Sequence, residues 1–320
     1  MTVTKELSVK TCSGYDEFLL TGTSYAVENI NPENFQSLTI KSCLEGYTYP
    51  SGTPILTVTG TKNEVQSFLQ MVVTLLERTI SVSTKVLKLV QTFHEQEGAF
   101  DLVTLNKNSL QHNACAYGGV EWSNESVVDH QDVLLADQNP LDYVDGHSGI
   151  FPVGLYRNPA SEFVKLYKNS DDVSSFYINT GSTSNLETEL EQIQWYEKRS
   201  KEMDIDVYLY GWVSPHEIET LSSYISGCII DPQRIPRSGC VKNITSEIVS
   251  VNGTPKSQTG VLEGEKAVYW DSSDEQIVIF PHGQQRQIGH NLVRTFYDSG
   301  TIKNTSTVED IRQQTKTQNV

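Results

Sequence analysis

The stretch 163–232 alternates two kinds of segment, and that alternation limits the folds open to the chain. Residues 173–180 (VSSFYINT) form a short β-branched and aromatic run that ends at Gly181. Ser184-Asn-Leu-Glu187 has capping-box spacing, in which the hydroxyl takes an amide of the first turn and the carboxylate reaches back. The helix predicted from there to about Met203 buries Leu186, Leu190 and Ile193 at i, i+4, i+7. Residues 205–213 (IDVYLYGWV) are almost wholly apolar, as in a strand covered on both faces. Ser214-Pro-His-Glu217 is a second capping box, with Pro at the first helical position, where its missing N–H costs nothing. The helix that follows, over 215–225, packs Ile218, Leu221 and Ile225, and Gly227-Cys-Ile-Ile-Asp231-Pro closes a third strand. Strand, helix, strand, helix, strand predicts two right-handed βαβ units in one parallel sheet.

The fold class expected is mixed α+β: a parallel βαβαβ core at about 163–232, an α+β N-terminal part and a β-rich C-terminal part. The N-terminal region, 1–105, carries short strand patterns at 7–24, 38–42 and 55–59 and then a long helical pattern. That helix starts at the capping box Thr61-Lys-Asn-Glu64 and continues through Val65, Phe68, Leu69, Val72, Val73 and Leu76. The hydroxyl-rich stretch 79–84 is expected to break it, and Val86, Leu89, Val90 and Phe93 resume the stripe, as one kinked helix or a hairpin of two. Residues 106–160 read as an acidic, mostly irregular connection punctuated by Gly, Pro and Asn. The α/β core occupies 161–237. An antiparallel β region follows at 238–302, with strands at 246–251, 266–271, 276–280 and 292–297 and a hairpin loop at Asp271-Ser-Ser-Asp274. Residues 303–320 carry too few apolar side chains for a core and are expected to be a mobile polar tail or a single amphipathic turn.

Net charge is -16, from 24 basic and 40 acidic residues, which argues against a nucleic-acid backbone or an anionic membrane as partner. Charged residues make up only 20% of the chain, and neutral polar side chains and 15 Tyr suit wet contacts with other subunits in a homo- or hetero-oligomer. The five cysteines, Cys12, Cys43, Cys115, Cys228 and Cys240, are far apart in sequence and form no CxxC pair. They read as reduced thiols of a protein made in the cytoplasm, with Cys228 a small buried hydrophobe. The first residues hold no apolar leader segment, and no 18-residue apolar run occurs. No cofactor is expected.

Ligands of open α/β sheets sit beyond the carboxyl ends of the strands. That rule selects Asn179 and the 180–183 turn, then Trp212, Ser214 and His216, then Asp231, Gln233 and Arg234. The Gly181 turn has one Gly and no Lys, so it is neither a P-loop nor a dinucleotide fingerprint, and Ser184 and Ser214 are read as helix caps. Asp129, Asp132 and Asp137 supply oxygens for a cation, but Leu141 fills the fifth position of an EF-hand loop and no Gly follows it. Gly146-His-Ser-Gly149 is one residue short of a nucleophile elbow, and Ile150-Phe-Pro152 gives it no helix. Cys12 with His147 has the residue types of papain-like peptidases, without a helix after Cys12 to activate the thiol.

The segment 207–231 resembles the last βα units of the glycerophosphodiester phosphodiesterase barrels, in Tyr-Gly-Trp-Val-Ser-Pro at a strand end and Cys-Ile-Ile-Asp-Pro at the next. The His-Arg-Gly opening and paired acids of those enzymes have no counterpart here, and the earlier chain lacks the strand–helix count of a full barrel.

Two functions are expected from these features. The first is a non-enzymatic structural subunit of a large assembly such as a virus particle, its polar tail and acidic segment ordered by neighbours. The second is an α/β hydrolase or phosphodiesterase at the strand ends. In it His216 is the acid/base, Asp231 a base or metal ligand, and Asn179 and Arg234 the substrate contacts.

Overall fold

The structure, a computed structural model, describes residues 1–94, 101–105, 109–123, 149–153, 173–179, 193–198, 201, 205–236, 240–256, 264–281 and 289–319. Its strands are β1 (Thr2–Thr11), β2 (Glu17–Leu19), β3 (Thr39–Cys43), β4 (Thr48–Pro50), β5 (Pro54–Thr61), β6 (Asp101–Thr104), β7 (Glu121–Trp122), β8 (Gly149–Val153) and β9 (Val173–Asn179). They continue with β10 (Asp206–Gly211), β11 (Gly227–Ile230), β12 (Val241–Val251), β13 (Thr254–Pro255), β14 (Lys266–Asp271), β15 (Gln276–Pro281), β16 (His290–Asn291), β17 (Val293–Asp298) and β18 (Thr301–Ile302). The helices are α1 (Thr23–Glu28), α2 (Lys62–His94), α3 (Leu110–Tyr117), α4 (Pro215–Leu221) and α5 (Val308–Asn319). The architecture is mixed α/β with several sheets, and no helix among the described residues is long and apolar enough to cross a membrane.

The chain forms two compact units that interleave in sequence: Met1–Leu87 with Ala116–Gly119 and Pro236–Val320, and Lys88–Cys115 with Val120–Ile235. In the first, a sheet ordered β13-β12-β1-β5-β3-β17-β18 pairs antiparallel throughout. Leu7, Ile40, Leu56 and Val58 from its strands meet Val65, Phe68, Val72 and Leu76 of α2 in one core. That helical stripe recurs at i, i+3, i+4 spacing, which is why α2 lies on the sheet. Glu6, next to Leu7 on β1 and also buried, takes both the backbone N–H and the ammonium of Lys266, at 2.6 and 2.8 Å.

The first unit departs from expectation twice. Helix α2 runs unbroken through 79–84, because the hydroxyls there have partners. Thr79 Oγ1 donates to the Leu75 carbonyl, Ser83 Oγ bonds both the Ile80 carbonyl and Thr21 Oγ1, and Thr84 Oγ1 accepts from the Leu19 amide. Residues 308–319 form α5 rather than a mobile tail. Thr307 and Asp310 cap it reciprocally: the Asp310 carboxylate accepts from the Thr307 amide at 2.9 Å, and Thr307 Oγ1 accepts from the Asp310 amide at 3.2 Å. Ile311, Arg312 and Thr315 are buried, and Gly46 admits the helix, since a Cβ there would stand 2.8 Å from the Ile311 carbonyl oxygen. A single buried stripe suffices for a helix docked on a finished core.

The second unit is a parallel sheet ordered β7-β6-β11-β10-β9-β8. Read from β6 round to β11 and back to β6, this is the sequential order of a parallel barrel, left unpaired between β7 and β8 among the described residues. Alternate residues of five strands and the residue after β6 pack on one face: Val103 and Leu105, Ile150, Tyr177, Tyr208 and Tyr210, and Ile229. These residues make one apolar face across the sheet. The sequence predicts three of these strands; β6, β7 and β8 are additional. Within the segment read as irregular, α3 forms because Ser109 precedes it, its hydroxyl meeting His112 Nδ1 at 2.7 Å, and because Ala114, Cys115, Ala116 and Tyr117 are buried. Of the helix predicted over 185–203, residues 193–198 and 201 are described and helical. The predicted helix at 215–225 ends at Leu221.

Candidate functional site

The parallel strands of the second unit all deliver their carboxyl ends to one rim, where irregular backbone can present polar groups without breaking the sheet. Strand β9 ends on Asn179, β10 on Tyr210 and Gly211, and β11 on Ile230, with Asp231 next. The turn after β11 is tight. The Asp231 amide donates to the Gly211 carbonyl at 2.9 Å, and the Arg234 amide returns to the Asp231 carbonyl at 3.0 Å. One Asp231 carboxylate oxygen takes the Gln233 amide at 2.9 Å, a local bond for which Asp is suited at turn starts.

This turn aims Arg234 back across the rim. Its Nη2 donates to Asn179 Oδ1 at 3.2 Å, its Nε lies 3.5 Å from the Asp231 carboxylate, and its guanidinium sits 5.4 Å from the centre of the Tyr210 ring. Tyr210 in turn packs on the buried Tyr177 with ring centres 5.0 Å apart. Three successive strands thus converge on one cation. The Arg234 side chain stays 40% exposed, so the charge is held in place yet faces solvent. A guanidinium fixed by an acceptor on one side, a carboxylate on another and an aromatic face beneath is suited to hold a carboxylate or a phosphate.

Behind the rim the polar groups are spoken for. Thr104 at the end of β6 donates its hydroxyl to the Ile230 carbonyl at 3.1 Å, locking β6 to β11. Burial pushes the thiols of Cys115 and Cys228 far above their ordinary value, so neither supplies a thiolate. Ser214 is engaged as a cap: its Oγ accepts from the Glu217 amide at 3.3 Å, and Glu217 Oε2 accepts from the Ser214 amide at 2.7 Å.

Of the residues selected from sequence, the structure brings Asn179, Asp231 and Arg234 together. His216 lies in the first turn of α4. Residues 180–183, the elbow-like segment before Gly149, His147 and the cation candidates Asp129, Asp132 and Asp137 lie outside the described residues. No cluster of three metal-ligating side chains occurs among the described residues. Sequence reasoning missed Tyr177 and Tyr210 as parts of the rim. The signal was present, since both sit within two residues of the strand end that selected Asn179 or Trp212.

No protein-family model and no curated protein sequence matches the chain. Solved structures do. A nicotinate-nucleotide pyrophosphorylase from Pyrococcus furiosus superposes with a TM-score of 0.74 at 14% identity, over 99% of this chain and 89% of that one. Human nicotinic acid phosphoribosyltransferase gives 0.67 at 12%, again over 99% and 89%. The nicotinate-nucleotide pyrophosphorylase of Ehrlichia chaffeensis gives 0.56 at 10%, over 78% and 88%. At these identities the likeness is one of fold. It nevertheless overturns the expectation of a virus-particle subunit, because the fold is shared along nearly the whole chain with proteins named for nicotinate chemistry. The tail that motivated that expectation is docked on its own chain through Ile311 and Thr315.

Proposed function

We propose that the chain is an enzyme that transfers a phosphoribosyl group between pyrophosphate and nicotinate, working at the carboxyl ends of β9, β10 and β11. In that reaction the bond between the ribose anomeric carbon and the nicotinate ring nitrogen breaks as one to a pyrophosphate oxygen forms, or the reverse. Every partner carries an anion: a carboxylate on an aromatic ring, a phosphate on the ribose, and the pyrophosphate. The observation that carries the reading is Arg234, held by Asn179 and Asp231 over Tyr210 on the rim of a parallel sheet in barrel order. The guanidinium holds an anionic group of the substrate, and Asn179 and Asp231 fix its direction. On this reading the parallel βαβαβ core is the site-bearing arc of the barrel. The full-length fold likeness to proteins named for these reactions supports it.

The test is to incubate the purified chain with nicotinate and phosphoribosyl pyrophosphate, and separately with nicotinate mononucleotide and pyrophosphate, and to separate the products by chromatography. Nucleotide should form in the first case and nicotinate in the second. Arg234→Ala should lower kcat/KM roughly 100-fold, about 2.7 kcal/mol of transition-state stabilisation, with an unchanged melting temperature. No turnover by the wild type, or a fully active Arg234→Ala, overturns the proposal.

A further inference from the structure

Strands β1 and β12 lie antiparallel along their length, from Val3 opposite Val251 to Thr11 opposite Val241. One step past that ladder the Cys12 amide donates to the Cys240 carbonyl at 2.8 Å, so two cysteines from opposite ends of the sequence stand face to face. Continuing the register of Thr11 opposite Val241 sets Cys12 opposite Cys240, and opposed residues of an antiparallel ladder have Cα atoms about 4.5–5.5 Å apart with their side chains on one face. A disulfide needs Cα atoms roughly 4.4–6.8 Å apart, so the backbone spacing already suits one. The two thiols also differ in access: Cys12 is partly open to solvent and Cys240 is fully buried. The other three cysteines are buried on separate elements, Cys43 on β3, Cys115 on α3 and Cys228 on β11.

A third group completes the cluster. Lys85 on α2, only 7% exposed, donates its ammonium to the Pro236 carbonyl, four residues before Cys240; burial lowers its pKa, and the nearby Cys240 and Cys12 sulfurs oppose that shift. Tyr15 bonds the Cys12 carbonyl through its amide at 3.1 Å, and its phenol likewise feels both sulfurs. Thiol–disulfide chemistry passes through an anionic sulfur, which a neighbouring cation stabilises.

We propose that Cys12 and Cys240 are a redox pair whose reversible disulfide clasps the end of β1 to the start of β12. Hydrogen peroxide is the oxidant. The Cys12 thiolate attacks one peroxide oxygen and expels hydroxide, giving a sulfenic acid. Cys240 then attacks the Cys12 sulfur, the S–S bond forms, and the sulfenic oxygen leaves as water with the proton of the Cys240 thiol. Two thiols and one peroxide thus give one disulfide and two waters, and an external dithiol reverses the bond by taking up the disulfide itself.

The test treats the full chain with hydrogen peroxide, alkylates the remaining thiols after unfolding, and maps the cysteines by mass spectrometry. The expected result is one intrachain peptide pair joining Cys12 to Cys240, lighter by two hydrogen atoms and restored by dithiothreitol. The oxidised chain should melt at higher temperature than the reduced chain. In Cys240→Ser, Cys12 should stop at a sulfenic acid that dimedone traps. Recovery of both residues fully alkylated after peroxide overturns the proposal. So does a sulfinic acid at Cys12 with Cys240 untouched, or a bond that joins two chains. The wild-type map decides the matter even if the serine variant fails to fold.

Discussion

Gly46→Ala and Ile311→Ala attack the same seam from opposite sides. Ile311 is 1% exposed beneath α5, and Gly46 lies under that helix with a φ of +85°. Truncating Ile311 removes most of a buried side chain and leaves a cavity, at about 2–5 kcal/mol. A methyl on Gly46 costs about 1–2 kcal/mol for its left-handed backbone. It also meets the Ile311 carbonyl oxygen and Gln314 Cβ at 2.8 Å, and the carbonyl is backbone that cannot swing aside. Each change should therefore cost at least about 2 kcal/mol in urea unfolding. Together they should cost less than the sum, because a helix already displaced has less left to lose. Thr317→Ala, on the exposed side of α5, serves as control and should stay within about 0.5 kcal/mol. Costs below about 1 kcal/mol for both Ile311→Ala and Gly46→Ala would mean that α5 is not part of the folded unit. The expectation of a mobile tail would then return.

Ser214→Ala should cost about 1 kcal/mol in urea unfolding, through the Glu217 amide it leaves unpaired. Unchanged stability together with lost transferase activity would instead make Ser214 a substrate contact. Glu45 is buried and takes the amides of Thr23 and Ser24 at 2.7 and 2.9 Å, and burial raises its carboxyl above the ordinary 4.5 despite those bonds. A raised folded value means that its contribution to stability is fully present below pH 4.5 and is lost as pH rises from there through the higher folded value. Glu45→Gln cannot ionise, so urea midpoints followed upward from pH 4.5 should fall less than those of the wild type, and parallel curves would count against this assignment.

The parallel core was legible because its cues are local. The β-branched and aromatic run at 173–180 and the nearly continuous apolar runs at 205–213 and 227–230 announce strands, and Ser214-Pro-His-Glu217 announces the helix between two of them. Once the strands are placed, the strand-end rule selects Asn179, Asp231 and Arg234 with no knowledge of their contacts. What stayed hidden depends on distant partners. The pairs β6 with β11 and β8 with β9 involve strands of four to seven residues, and Thr104 needs the Ile230 carbonyl to hold its place. Residues 79–84 look like a helix breaker until Thr21 and Leu19 engage Ser83 and Thr84. Helix α5 offers few apolar residues, and its docking rests on the empty space at Gly46. Cys12 and Cys240 look unrelated because only the antiparallel pairing of β1 with β12 brings them together.

A crystal structure of the chain with nicotinate mononucleotide and pyrophosphate tests the central claim most directly. The account predicts that ligand density lies beyond the carboxyl ends of β9, β10 and β11, with an anionic group of the ligand on the Arg234 guanidinium and an aromatic face near Tyr210. Ligand bound elsewhere, with the Arg234, Asn179 and Asp231 cluster untouched, would contradict it.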